Sequence, residues 1–427
     1  MRLAAERGAD TLGWAFKALP GSGSPLRLGE IATRGWNILD QDVMLPAAVI
    51  RQTALDHNRR WMKAFIDLAG VRICPHGKTT MSPQLMAMQL SDGAWGITAA
   101  TAAHVRTYRQ FGIDRIILAN QLVGKQNIAY IFDELRRDPG FDFYCLIDSL
   151  ESAELLEVEA QRHGYHGQVQ VLLELGMAGG RAGVRDDARA LELAGRISIS
   201  TCLVLRGIEA FEGIVQGADG AEAAMARLID RIAWLAETCD AQGLFTGAPI
   251  LSAGGSSFFD VAAATLSRAT LRGRFEVVLR SGCYLVHDSD FYRELLDQLL
   301  VRSPSVTALG EGLRPALELW ACVHSRPEAG RVIVGLGKRD ASFDIHLPRP
   351  ERWARTRRQG ALPLDGHKTV RLDDHHAYLD VPGDSPLAVG DLVCFGISHP
   401  CTTFDRWPAI YLVDDGLTIT GVVQTYF

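Results

Sequence analysis

The chain has 427 residues, of which 47% are hydrophobic and 22% charged, with a formal net charge of −6. That is enough apolar material for one large domain and a smaller one, each with its own core. A mildly acidic chain without a basic block argues against nucleic-acid binding, and the absence of any run of 18 uncharged apolar residues argues against a membrane span.

The N-terminal stretch MRLAAERGADTLGWAF mixes charges early and lacks a continuous apolar core, so it does not read as a signal peptide. Residues 1–44 are irregular and include LPGSGSPLRLGE, a loop composition. They are expected to pack with the C-terminal domain. The eight cysteines contain no CxxC pair. Cys74, Cys145, Cys202, Cys283, Cys322 and Cys394 sit in or beside apolar runs, as reduced thiols of a cytoplasmic protein do.

Regular alternation starts at MLPAAVI, residues 44–50, and a pattern then repeats every 25 to 40 residues. Eight strand-like runs stand out: VRIC (71–74), WGIT (95–98), RIILA (115–119), FYCLI (143–147), VQVLLEL (169–175), LVLRGI (203–208), PILSA (249–253) and FEVVLR (275–280). Amphipathic segments lie between them, such as ESAELLEVEAQRHG and a second that stops at Gly243. Eight strands alternating with helices predict a (β/α)8 barrel over residues 45–297. An open doubly wound sheet is the rival; the lack of a GxGxxG turn after the first strand weighs against it. Over 298–427 the runs RVIVGLG, TVRLDDHHAYLDV, DLVCFGIS and AIYLVDD are short, β-rich and separated by turn residues, which predicts an all-β domain.

The segment ICPHGKTTMSPQL begins where the first run ends, and catalytic groups of such barrels sit at the C-terminal ends of the strands. Lys78 lies within four residues of that end. Against apolar walls its pKa would fall, and it could form a Schiff base with an aldehyde cofactor. Taken alone, Lys78 reads as a solvent-facing loop lysine; the surrounding residues change that reading. Near the C-terminus, ISHPCTTFDRW holds His399 and Cys401 two residues apart, on the same side if the segment is extended. Imidazole and thiolate together favour zinc and leave positions open for water or substrate.

PHGKT followed by SPQL, GAWGITAATAAHV and GIDRIILANQLV resembles the start of the fold-type-III, alanine-racemase-like pyridoxal-phosphate barrels. More narrowly it is similar to the D-serine dehydratase and D-threonine aldolase family, and PHGKTTMSP with GAWGIT resembles its bacterial cryptic D-serine dehydratase subgroup. The resemblance runs in order through residues 44–290 and resumes at the C-terminus. It implies that Lys78 is the cofactor lysine. It also implies that SAGGSS and RSGCYLVHD, after strands seven and eight, form a phosphate cup from Gly254, Gly255, Ser256, Gly282, Cys283 and Tyr284. Backbone N–H groups at Gly-rich strand ends are suited to that task. ELGMAGGRAGV, after strand five, resembles a family segment that points Arg181 at the ring side of the cofactor, where a structural salt bridge is the alternative. Strand six ends in IEAFEGIV, where many relatives carry His and Tyr; this departure leaves Glu209 and Glu212 as the residues available there. The family's dehydratases carry a His-x-Cys zinc pair, its aldolases His-x-Asp, and a loop similar to DDHHAYLDV near the active site, which makes His376 a candidate substrate neighbour.

The implied reaction is dehydration and deamination of a D-β-hydroxy amino acid such as D-serine, giving a 2-oxo acid and ammonia. Lys78 removes the α-proton and zinc on His399 and Cys401 assists the departing hydroxyl. Retro-aldol cleavage is the main alternative. A racemase needs no metal, and a non-catalytic cofactor carrier needs no second domain. A homodimer is expected from the resemblance.

Overall fold

The computed structural model describes residues 11–21, 24–211, 221–267 and 274–427. The chain divides into two compact units. One comprises Lys63–Lys78 and Met88–Gly282; the other comprises the described residues up to Met62, Thr79–Ala87 and Cys283–Phe427.

All eight expected runs are strands of one parallel sheet in the first unit: Arg72–Ile73, Ile97–Ala99, Arg115–Gln121, Asp142–Ile147, Val169–Leu175, Leu203–Ala210, Ile250–Ala253 and Glu276–Leu279. The first pairs with the eighth, and the order then descends without a break to the second. A parallel bridge between His76 and Thr98 joins the first and second strands. There Trp95 N donates to Ile73 O and Thr98 N to Pro75 O, so the barrel is closed. The helices between strands bury one face each. In Asp187–Ser198 that face is Ala190, Leu193, Ala194 and Ile197, at the i, i+3, i+4, i+7 spacing of a helical stripe. Side-chain caps start these helices: Thr101 accepts from His104 N, Ser149 from Ser152 N and Asp186 from Arg189 N.

The barrel interior changes character along its axis. Cys74, Ile117, Tyr144, Leu146, Leu172, Ile250 and Val278 form one buried apolar cluster. Side chains on a strand alternate, so the next inward positions toward the C-terminal ends lie two residues on. They are His76, Ala119, Asp148, Glu174, Ser252 and Arg280, all but one polar, and the strand register sets Glu209 level with both Glu174 and Ser252. An apolar plug is thus topped by a polar layer, at the end where barrels of this kind carry their chemistry.

The second unit is built on an antiparallel sheet whose central strand, Leu317–Glu328, pairs with Arg331–Val334, Leu392–Gly396 and Ala47–Arg51. The expected boundary at residue 45 is therefore corrected. Ala47–Arg51, an apolar run that reads like a barrel strand, pairs with Leu317–Trp320 on one side and Tyr411–Val413 on the other. Burial on both sheet faces gives it the continuous apolar character of a parallel barrel strand. The expected boundary at 297 moves too, since Cys283–Phe427 belongs to this unit. Residues of the N-terminal segment join it: Tyr411 donates to Ala18 O at 3.0 Å, and Lys17 Nζ sits 3.7 Å from the centre of the buried Trp407 ring and 2.6 Å from Asp340. Among the described residues no helix is long and apolar enough to cross a membrane.

Gly207 sits inside the barrel where a Cβ would lie 2.0 Å from Ile250 O, on the neighbouring strand's backbone. Gly207→Ala should destabilise the protein by about 3 kcal/mol through overpacking, read as a lowered midpoint in denaturant unfolding. An unchanged midpoint would contradict this packing.

Candidate active site

Lys78 is exposed in the short 3-10 turn Gly77–Thr79 that follows the first barrel strand. Two imidazoles feel its charge. Burial holds His76 well below the ordinary histidine range, and Lys78, Arg280 and His104 push it the same way. His104 is lowered as well, by burial first and Lys78 second. His76 is therefore neutral at neutral pH, and its Nδ1 is sealed from solvent without a hydrogen-bond partner among the described residues. An uncharged ring beside a lysine adds no repulsive charge there and can still exchange a proton.

Opposing this positive side are the acids of the polar layer. Glu209 is fully buried and ion-paired with Arg280, whose second nitrogen donates to Ala210 O at 2.9 Å. Glu174 accepts from Gln121 Nε2. Burial, reinforced by the charge of Glu209, pushes Glu174 up to about 7. Two neighbouring buried carboxyl groups share one guanidinium, and the less well paired of the two keeps its proton.

The loops after strands seven and eight are tied to each other. Arg280 N donates to Gly254 O at 3.1 Å, and Ser281 Oγ to the carbonyls of Gly254 and Gly255 at 3.2 and 3.0 Å. Gly254 has φ +83, and a Cβ there would lie 2.7 Å from Leu279 Cδ2; a Cβ on Gly282 would lie 2.5 Å from His76 O. Gly255 and Ser256 follow as half-buried residues of the same turn. These side-chain-free backbone turns suit a phosphate, and Lys78 suits an aldehyde. The residues present thus fit pyridoxal phosphate. Arg181 is exposed and stacks over Phe211 at 4.8 Å; its charge also acts on Glu209. Glu212 lies outside the described residues.

Cys283 and Tyr284 are buried in the turn Cys283–Leu285 of the second unit. Here the Cys283 side chain belongs to a sulfur cluster. Its Sγ lies 3.7 Å from Cys401 Sγ and 3.6 Å from Thr79 Oγ1, and Cys401 Sγ lies 3.3 Å from the same hydroxyl. The Cys401 hydrogen bond outweighs burial and brings the Cys283 thiol down to about 6, helped by Thr79, Tyr292 and the charge of His399. The segment expected to be extended is not: Pro400 has helical φ and ψ, and Cys401 opens the helical turn Cys401–Phe404. His399 and Cys401 therefore do not share one face of an extended strand as expected, because a proline-led turn replaces the extended backbone. His399 Nδ1 lies 2.6 Å from Asp344 Oδ2, and Thr402 Oγ1 donates to the other carboxylate oxygen at 2.9 Å. Burial pushes Asp344 up, but these two hydrogen bonds outweigh it and hold the carboxyl below its ordinary range. A carboxylate on Nδ1 fixes the tautomer that leaves Nε2 as a donor atom, the arrangement usual behind metal-binding histidines. In donor type His399 and Cys401 fit a zinc ion. Among the described residues, no group of three or more His, Cys, Asp and Glu is gathered for one. His376 is exposed and meets His324 edge-on at 6.3 Å.

The family model for the N-terminal domain of alanine racemase matches residues 50–269, and one for a serine dehydratase domain matches residues 316–413. The chain belongs to the D-serine dehydratase and D-threonine aldolase family of pyridoxal-phosphate enzymes, with an alanine-racemase-like fold. It is 30% identical over 408 residues to D-threo-3-hydroxyaspartate dehydratase of Delftia sp. strain HT23, covering 90% of this chain and 98% of the relative. It is 25% identical over 380 residues to D-threonine aldolase of an Arthrobacter species, covering 87% and 89%. Among solved structures, a D-threo-3-hydroxyaspartate dehydratase with one cysteine replaced by alanine, in a metal-free form, shares the fold. Its TM-score is 0.71 at 21% identity, over 92% of this chain and 99% of that one.

The raised Glu174 carboxyl has a consequence for stability. The folded chain binds this proton more tightly than the unfolded chain, whose glutamate titrates near 4.5. Between about pH 4.5 and 7 the folded state therefore carries more protons, and stability falls as pH rises through that window. Glu174→Gln should remove this dependence. The variant should gain on the wild type by up to roughly 3 kcal/mol between pH 5 and pH 8 in denaturant unfolding. A constant difference across that range would contradict the assignment.

Proposed function

We propose that this protein is a pyridoxal-phosphate- and metal-dependent lyase that dehydrates a D-β-hydroxy amino acid, such as D-serine or a 3-hydroxyaspartate, to a 2-oxo acid and ammonia. The observation that carries the reading is Lys78 at the end of the first strand of a closed barrel, above a polar layer and beside two histidines of depressed basicity. Pyridoxal phosphate, when bound, supplies an aldehyde for the substrate amine and an electron sink for its α-carbon.

The residues of the chain do the rest. Gly254, Gly255, Ser256 and Gly282, with the backbone of Cys283 and Tyr284, hold the phosphate. Arg181 neutralises charge on the ring side. Lys78, once displaced by the substrate amine, removes the α-proton. His76 is neutral and can pass that proton on. Expelling hydroxide needs a partner for its charge, and a metal ion held by His399 and Cys401 would supply it.

A second reading is retro-aldol cleavage, favoured by the D-threonine aldolase relative. It would use the same Lys78 and metal pair, with the base acting on the hydroxyl proton.

Reduction with borohydride in the presence of pyridoxal phosphate should place the cofactor adduct on the peptide containing Lys78, and Lys78→Ala should lose it. An adduct on another lysine would refute the assignment.

Incubation with D-serine should yield pyruvate and ammonia, and with a D-3-hydroxyaspartate the corresponding 2-oxo diacid. Chelation or Cys401→Ala should abolish this while leaving the Lys78 adduct intact. Glycine and an aldehyde as the main products would establish the aldolase reading instead.

A further inference from the structure

One carboxylate oxygen inside the barrel is left without a donor. Among the described residues, Glu209 Oε1 is sealed from solvent and makes no hydrogen bond, while the other oxygen is paired with Arg280. The pair is rigidly placed, since Arg280 also donates to Ala210 O at 2.9 Å. The neighbouring donors in the layer are committed: Gln121 Nε2 to Glu174, and Ser252 Oγ to Val278 O at 2.8 Å. A buried acceptor without a donor is costly, so such an atom in a native chain points to a group that binds there.

The position of the orphan selects the group. Around the barrel the order runs from strand one through eight, seven and six to five. Lys78 follows strand one, the glycine turns follow strands seven and eight, and Glu209 and Glu174 lie on strands six and five. In pyridoxal phosphate the ring nitrogen lies para to the aldehyde carbon, and the phosphate arm sits beside the aldehyde. With the aldehyde on the strand-one side and the phosphate on the seven–eight side, the nitrogen points toward strands six and five. Burial pushes the Glu209 carboxyl up against the pull of Arg280 and Arg181. A positive N–H beside Oε1 would offset that desolvation and give the orphaned oxygen its donor.

We propose that Glu209 accepts a hydrogen bond from the ring nitrogen of the cofactor and keeps that nitrogen protonated, with Arg280 as the positioning residue that aims it. The proposal rests on the reading of Lys78 as the cofactor lysine. A protonated ring withdraws electrons from the substrate α-carbon more strongly than a neutral one, which suits elimination or cleavage.

The test uses the holoenzyme loaded with cofactor labelled with 15N in the ring. In the wild type the ring nitrogen should give the 15N signal of a protonated pyridine from about pH 6 to 8, pH values that bracket its neighbours' titration. In Glu209→Gln that signal should move toward the unprotonated value. Affinity for pyridoxal phosphate should fall roughly 10- to 100-fold. Affinity for the 1-deaza analogue, with C–H in place of the ring nitrogen, should stay within about 2-fold. An unprotonated ring nitrogen in the wild-type holoenzyme overturns the proposal whether or not the variant folds. So does equal loss of affinity for both cofactors. Borohydride trapping on the same sample separates the two levels: an adduct away from Lys78 refutes the reading beneath the proposal, whereas a deprotonated ring on Lys78 refutes the proposal alone.

Discussion

The carboxylate of Glu209 facing the guanidinium of Arg280 inside a closed barrel is the constraint on which the first unit depends. Neither group could be buried without the other, since an unpaired charge at that depth would outweigh much of a domain's net stability. Once they are paired, the effects spread outward. Glu174, level with Glu209 on the next strand, is left with an amide partner and holds its proton to about pH 7. Arg280 lowers His76 from the other side, and its backbone N–H ties the loop after strand eight to Gly254. One buried ion pair therefore influences the titration of an acid and of a histidine beside Lys78, and fixes the turn suited to a phosphate.

The second unit solves a similar problem with sulfur. Cys283 is buried, which alone would disfavour its thiolate, yet the Cys401 thiol, the Thr79 hydroxyl and Tyr292 together bring it down to about 6. Beside it, Asp344 orients His399. The Cys401 thiol thus favours the Cys283 thiolate, and the Asp344 carboxylate fixes one tautomer of the His399 imidazole.

The barrel was legible because eight short apolar or β-branched runs, from VRIC to FEVVLR, alternate with amphipathic helical segments. Lys78 and the glycine turns were legible because their local wording resembles a family. Four features were hidden for physical reasons. Ala47–Arg51 has a barrel strand's apolar composition, and only its partners at Leu317–Trp320 and Tyr411–Val413 reveal its sheet. The turn at Pro400 defeats the two-residue alternation that seemed to align His399 with Cys401. The roles of Glu174, Glu209 and Arg280 depend on strand register, which brings together residues 35 and 71 positions apart; counting inward positions two beyond Leu172 and Val278 would have flagged Glu174 and Arg280. Cys283 read as part of a phosphate turn because its backbone follows Gly282, whereas its thiol is committed to Cys401.

The central claim is that Lys78 carries out proton transfer at the α-carbon of a D-amino acid. Exchange of the α-hydrogen for deuterium in D2O, followed by proton NMR on metal-free, cofactor-loaded protein, tests it without waiting for any later step. The account predicts that D-serine exchanges its α-hydrogen, that L-serine does not, and that Lys78→Ala abolishes the exchange. Exchange that is indifferent to configuration, or that survives in Lys78→Ala, would contradict it.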